Sequence, residues 1–384
     1  MTRDDRKMLK IPLYAIRHKK IGGTEFAIYN LIRGLAAAGI NLSIEYGRDS
    51  DLSEEFLDWI TSQPGIISAA TGGLPGPKGA RFLEELLYQQ RRNDDGWALF
   101  PNYFLPPSLL GRRGKSAVIL HDIQYKQYPE FHSTKRRRWL DFYLPRMLQA
   151  ADKVILISQS EQDLVRKFFG QSAADKCSIV YNAIEFERFS NEASSISPAV
   201  TDIAQKEYII SVCHQFPHKN IPTILKAFEK IAYTKKNIDL CLVGSSSPSN
   251  ASFIRNHVSE EVRERIHLTG FVSDAELGLL YRNARLFVLP SLYEGFGMPA
   301  VEALGLGVPT LVSNAFALPE VTMGYAGLID DPLDVGAWAD AMNAELSSGK
   351  RPSDQQIAHI RAAYSPISSA QSLLSVLQEQ NPSG

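Results

Sequence analysis

Along the chain, short β-rich apolar runs alternate with stretches whose apolar residues recur at helical spacing. Residues 8–16 read as a strand, followed by the loop RHKKIGG. Ile28, Leu31, Ile32 and Leu35 then recur every three or four residues, the period of one buried helix face, and Gly39 stops the pattern. Residues 42–46 form the next strand candidate. AVILHD (117–122) and KVILIS (153–158) are short apolar runs ending in polar residues. Such runs suit parallel strands covered on both faces, whose C-terminal ends meet a ligand crevice. SQSEQDLVRKFF (158–169) opens on a serine able to cap a helix and continues as an amphipathic pattern.

The periodicity lapses over the polar, Ser-rich stretch 185–206, EFERFSNEASSISPAVTDIAQK, which reads as an interdomain linker. A second series then starts afresh with YIISV (208–212), a helix from about 221, DLCLVG (239–244), HLTGF (267–271), ARLFVLP (284–290) and PTLVS (309–313). A last helical pattern covers about 367–379. Strand followed by helix, repeated in both halves, predicts an α/β protein with two doubly wound parallel sheets. Two such domains would face each other across a cleft.

Length and composition agree with this division. The 384 residues suffice for two ordinary domains, and 44% apolar with 22% charged residues is a globular composition. A formal net charge of -1 gives no global attraction to nucleic acid. Cys177, Cys213 and Cys241 lack metal-ligand spacing and read as reduced core residues of a cytoplasmic protein. No signal-peptide pattern opens the sequence, and no apolar run reaches the ~20 residues of a membrane helix. Asp94–Asp95 and Asp330–Asp331 read as loop acids, so no metal or other cofactor is expected.

The chemistry concentrates in LFVLPSLYEGFGMPAVEALGLGVPTLVS (286–313). A strand ends near Pro290, a glycine-containing loop follows, and a helix starts with Pro299 fitted to its first position and Glu302 in its first turn. A helix N-terminus presents free N–H groups and partial positive charge, which suits a diphosphate. Gly295 and Gly297 would let backbone approach the ligand. Glu302 offers a carboxylate to a ribose diol, and Glu294 sits in the same loop.

This pattern resembles the E-x7-E motif of the retaining GT-B glycosyltransferases, glycosyltransferase family 4. Here it runs from Glu294 to Glu302 in the context PS-x-x-EGFG-x-P-x-x-EA. The resemblance extends to IGGTEFAIYNLIRGLAAAGI, HDIQYKQYPEF (121–131), VYNAIEFERF (180–189), HQFPHKN (214–220) and ALPEV (317–321). It implies a GT-B fold of two Rossmann-like domains. Residues 1–190 would bind the acceptor, with a C-terminal helix over about 366–384 packing back on them. Residues 200–365 would bind a nucleotide diphosphate sugar.

The resemblance also assigns roles. Donor contacts would come from Gly22, Gly23, Lys219, Glu294, Gly295, Phe296, Gly297, Met298 and Glu302. Lys219 would meet the diphosphate, and His214 stands where many members carry arginine. The backbone of Phe271 and Val272 would meet the base, their side chains being core. His121, Glu294 and Lys219 would carry catalysis, with His121 near the donor sugar. The wording HDIQ…PEF and PHKN is similar to bacterial polysaccharide mannosyltransferases. It implies GDP-mannose as donor and a saccharide or lipid-linked acceptor. Other sugar-nucleotide chemistry, such as an epimerase, or non-catalytic sugar-nucleotide binding are the alternatives.

Lys135, Arg136, Arg137 and Arg138 form the densest charge run. It reads as a solvated helix face or as peripheral contact with an anionic bilayer or lipid-diphosphate acceptor.

Overall fold

The computed structural model describes residues 8–14, 16, 23–47, 52–71, 96–102, 114–190, 196–212, 216–245 and 248–379. Gly22, His214, Cys213 and Asp94–Asp95 lie outside these residues. The chain divides into two compact units, residues 1–184 with 364–384 and residues 185–363.

Among the described residues the first unit holds seven parallel strands: β1 (Leu9–Pro12), β2 (Leu42–Gly47), β3 (Ile66–Thr71), β4 (Trp97–Phe100), β5 (Lys115–Leu120), β6 (Lys153–Leu156) and β7 (Cys177–Ile179). Their order is β3-β2-β1-β4-β5-β6-β7. The order reverses between β1 and β4, where a doubly wound sheet opens a crevice at its strand ends. The longer helices are α1 (Gly23–Ala37), α2 (Glu54–Ser62), α3 (Thr134–Ala150) and α4 (Gln159–Phe169). The serine cap of α4 is present, Ser158 Oγ accepting from the Glu161 N–H at 3.2 Å.

The second unit repeats the plan with β8 (Glu207–Val212), β9 (Ile238–Val243), β10 (Ile266–Gly270), β11 (Leu286–Leu289), β12 (Thr310–Ser313) and β13 (Gly327–Ile329), in the order β10-β9-β8-β11-β12-β13. Strands β9, β11 and β12 are buried at every position, as expected when helices cover both faces. Its longer helices are α5 (Pro198–Ala204), α6 (Ile221–Ala232), α7 (Pro248–His257), α8 (Asp274–Asn283), α9 (Met298–Gly305), α10 (Val335–Ser348) and α11 (Asp354–Ala363).

The stretch read as a linker is mostly built into the second unit. Phe186 and Phe189 are buried in a 3-10 turn, and Val200 and Ile203 are the buried face of α5. Four apolar side chains among many serines suffice to anchor the segment, and so sparse a signal does not register as a helical period.

The final helix, α12 (Pro366–Gln378), packs against α1 within the first unit. The two approach so closely that a Cβ on Gly34 would stand 1.9 Å from the Pro366 carbonyl oxygen. Ser369 Oγ donates to the Tyr181 carbonyl at 2.9 Å, and Ala370 and Leu373 are fully buried. Cys177 and Cys241 are free, and burial pushes both thiols up to about 12. No helix among the described residues is long and apolar enough to cross a membrane.

Candidate functional site

The strand order of the second sheet reverses between β8 and β11. The segments leaving these two strands carry Lys219 and Glu294. Lys219 closes a 3-10 turn, Pro217–Lys219, and its Nζ lies 2.7 Å from Glu294 Oε1. Ser291 Oγ donates to the same oxygen at 2.7 Å. The two charged side chains are 14% and 9% exposed, so their attraction acts in a partly dehydrated setting. Oε2 of Glu294 has no hydrogen-bond partner among the described residues and remains an acceptor.

Asn220 fixes this arrangement. It adopts the left-handed conformation, φ 54°, which asparagine tolerates better than most residues. Its Nδ2 donates to the carbonyls of Pro290 (3.1 Å) and Pro332 (2.7 Å), while Thr223 Oγ1 donates to its Oδ1 (2.8 Å). One buried amide thus ties the end of β11, the approach to α10 and the first turn of α6. The Leu292 N–H adds a bond to the His218 carbonyl at 2.8 Å.

Beyond Glu294 the chain enters α9 through Gly297, at φ 92°. The left-handed backbone alone favours glycine, and a Cβ there would meet Leu318 Cδ2 at 2.6 Å. Gly297 therefore has a structural reason of its own, separate from ligand approach. Phe296 and Met298 are buried beside it. Pro299 is the second helical residue, after Met298. No side chain caps the helix, whose N-terminal end carries the positive end of its dipole.

Glu302 is the fifth residue of α9, one position past the first turn in which it was expected. It is 4% exposed, and both oxygens are engaged. Arg188 Nη2 stands 2.6 Å from Oε1, and the Tyr281 hydroxyl donates to Oε2 at 3.0 Å. Arg188 also reaches Asp274 at 3.4 Å and lies over the Phe189 ring. Burial raises the carboxyl pKa of Glu302, against the opposing pull of Arg188 and Tyr281. A ribose diol would therefore have to share oxygens already held by protein donors.

His121 follows β5 in the first unit and is 9% exposed. Its Nε2 is 2.8 Å from the Pro101 carbonyl, and burial lowers its pKa, the Pro101 bond opposing this in part. The ring is therefore neutral at pH 7. A carbonyl only accepts, so the proton sits on Nε2 and Nδ1 presents a lone pair. That buried nitrogen has no hydrogen-bond partner among the described residues. Asp122 accepts from the Gln124 N–H at 3.2 Å, a local turn.

Phe271 and Val272 follow β10, the edge strand of the second sheet. Phe271 is 59% exposed, so its side chain is not core as expected, while Val272 is half-buried. Both line a groove of about 1090 Å³ with Lys206, His267 and Glu276, which does not include Lys219, Glu294 or Glu302. Gly23 is the exposed first residue of α1, and Gly295 is half-buried. Among the described residues, no group of three or more His, Cys, Asp or Glu could hold a metal ion.

Sequence reasoning missed Arg188, Tyr281, Ser291 and Asn220. Ser291 was visible beside the motif. Arg188 sat in the stretch taken for a linker, and no local pattern ties it to a residue more than a hundred positions away.

Comparisons with known proteins converge on one family. The model described as Glycosyltransferase Family 4 matches residues 21–188, and that described as Glycosyl transferases group 1 matches residues 195–360. O-antigen chain mannosyltransferase B of Escherichia coli is 32% identical over 251 residues, covering 64% of this chain and 63% of the relative. The chain thus spans less than two thirds of that relative's length. Sucrose-phosphate synthase from Thermosynechococcus elongatus superposes with a TM-score of 0.73 at 20% identity, covering 97% of this chain and 98% of the other. Anabaena HepE, in complex with UDP and glucose, superposes with a TM-score of 0.70 at 16% identity, covering 98% of this chain and all of the other. With two family matches that follow one another along most of its length, and a fold shared with both solved structures, the chain belongs to the family 4 glycosyltransferases of GT-B fold.

Proposed function

We propose that the chain is a retaining glycosyltransferase that moves mannose from GDP-mannose to a saccharide or lipid-linked saccharide acceptor in polysaccharide synthesis. The observation that carries this reading is the meeting of Lys219 and Glu294 at the strand-order reversal, beside the N-terminal end of α9. A cation and an uncapped helix end suit a diphosphate, and a carboxylate with one open oxygen suits sugar hydroxyls. The mannosyltransferase relative supports mannose as the sugar. The UDP held by HepE keeps uridine donors in the test. The second unit takes the donor, and the first unit takes the acceptor. The place of action is cytoplasmic.

Glu294, already bound to Lys219 and Ser291, orients the sugar and does not attack it. Glu302, held by Arg188 and Tyr281, is likewise no nucleophile, and Asp122 is committed to a turn. Front-face substitution fits this set. The bond from the anomeric carbon to phosphate breaks as the acceptor oxygen adds on the same face, and the acceptor's proton passes to the leaving phosphate. Lys219 and the helix end hold the growing charge. His121 accepts a sugar hydroxyl at Nδ1 and orients the ring.

The test is transfer from GDP-mannose to lipid-linked saccharides, with proton NMR of the early product. Retained anomeric configuration is expected. An inverted product would overturn the mechanism, and absence of transfer from GDP-mannose with transfer from a UDP-sugar would overturn the donor.

A further inference from the structure

The 3-10 turn Phe186–Ser190 opens the second unit and is wedged between α8 and α9. A Cβ on Gly278 of α8 would stand 2.3 Å from the Phe189 carbonyl oxygen, and one on Gly305 of α9 would stand 2.1 Å from Phe186 Cε1. Arg282 Nη1 donates to the same Phe189 carbonyl at 2.7 Å, and the Phe189 ring meets Tyr281 edge-on at 5.9 Å. Buried phenylalanines thus seat the turn on both helices. Arg188, between them, is delivered to Glu302 with its guanidinium 4.4 Å from the Phe189 ring centroid.

An ionised carboxylate offers about four lone-pair positions, shared between its oxygens. At Glu302, Arg188 Nη2 takes one on Oε1 and the Tyr281 hydroxyl takes one on Oε2. A position stays open on each oxygen, which matches the adjacent hydroxyls of a ribose. The match holds only for the carboxylate, because a protonated acid turns an acceptor into a donor. Burial opposes the charge most strongly; Arg188 and the Tyr281 hydroxyl favour it, and Asp274 opposes it. Of the other charged groups near α9, Arg361 donates to the Gly305 carbonyl at 2.8 Å, Arg351 donates to the Gly307 carbonyl at 2.9 Å, and Glu294 pairs with Lys219. Among the described residues, Arg188 is the cation paired with Glu302.

We propose that Arg188 is a positioning residue of the donor site, holding Glu302 as the acceptor of the ribose diol. It acts through Glu302. Its charge keeps a buried carboxyl ionised, and its bond to Oε1 sets which lone pairs stay open. The inference rests on the reading of the second unit as the donor unit, with Glu302 as its ribose contact. Without the cation, the buried carboxyl would take up a proton near neutral pH. The carboxylate is the form that accepts the diol, so the contact would be present above that value and lost as pH falls through it.

The test is calorimetry of the full chain with GDP and UDP, each beside its dideoxyribose form, which lacks the diol, between about pH 6 and 9. The ratio of the paired affinities reports the diol contact alone, because titration of base and phosphate is common to both ligands. For the base that binds, the unmodified protein should prefer the ribose form about tenfold, at every pH. In Arg188→Gln the preference should fall to about twofold or less at the acid end and recover toward the alkaline end. Arg188→Lys, which keeps the cation, should restore a flat profile. Thermal unfolding confirms that each variant folds; if Arg188→Gln does not, the profiles of the unmodified protein and of Arg188→Lys decide. A preference that already falls with pH in the unmodified protein or in Arg188→Lys overturns the proposal, and so does an undiminished preference in Arg188→Gln at the acid end. No preference in the unmodified protein overturns it by taking Glu302 off the diol, and leaves the diphosphate site at Lys219 and Glu294 standing. If no form of either nucleotide binds, the donor reading fails and the proposal with it.

Discussion

Arg188 Nη2 stands 2.6 Å from Glu302 Oε1, joining a residue at the start of the second unit to the helix of the E-x7-E motif. The two side chains are 13% and 5% exposed. Removing the cation would leave a carboxylate in a setting that already disfavours its charge.

Arg188→Ala should therefore cost about 3–5 kcal/mol, the usual consequence of breaking a buried pair from one side. Adding Glu302→Gln should restore part of the loss, because the amide needs no counter-ion. Urea unfolding midpoints of the single and double variants measure this. Equal midpoints would show that the pairing contributes nothing beyond the loss of Arg188 packing on Phe189.

How much of this was legible in the sequence depends on the range of the interaction. Strands β5, β6, β9, β11 and β12 announced themselves because a buried parallel strand is an apolar run. Ser158 was legible as a cap because capping is a contact within three residues. Strands β3 and β4 gave no comparable signal: four of the six residues of IISAAT are small or polar, and WALF lacks a β-branched residue. Glu294 and Lys219 were found through the motif wording, but their direct pairing was not, since it is fixed by Asn220 clamping loops from three parts of the chain. Glu302 falls one residue past the expected first turn because the helix starts at Met298, one position before the proline that looks like its start.

Gly34→Ala tests the docking of α12. An alanine inside a helix ordinarily gains about 1 kcal/mol over glycine. Here its Cβ would meet backbone atoms of Pro366, which cannot rotate away. The variant should instead lose about 1–3 kcal/mol, and amide exchange over 366–378 should quicken. A gain in stability would mean that the two helices can separate without cost.

His121 should remain neutral well below its ordinary pKa. Its folded value is lowered by burial, so the unfolded chain binds the proton more readily. Stability should fall as pH drops below the ordinary histidine value of about 6.5. His121→Gln should flatten that part of the profile. In NMR, the His121 ring should titrate below the ordinary histidine value. Titration at the ordinary value would place the ring in water.

Lys219→Ala should weaken a nucleoside diphosphate far more than the free nucleoside, by roughly 1.5–3 kcal/mol for a lost charge-assisted bond. Calorimetry with both ligands gives the comparison. Equal losses would assign Lys219 to holding Glu294 in place and nothing more.

The donor site is tested most directly by calorimetric titration of the unmodified protein with GDP, UDP, ADP and the matching sugar nucleotides. One base should bind, GDP by this account, and GDP-mannose should bind with it while free mannose does not. If no nucleoside diphosphate and no sugar nucleotide binds, the site at Lys219 and Glu294 is not a donor site.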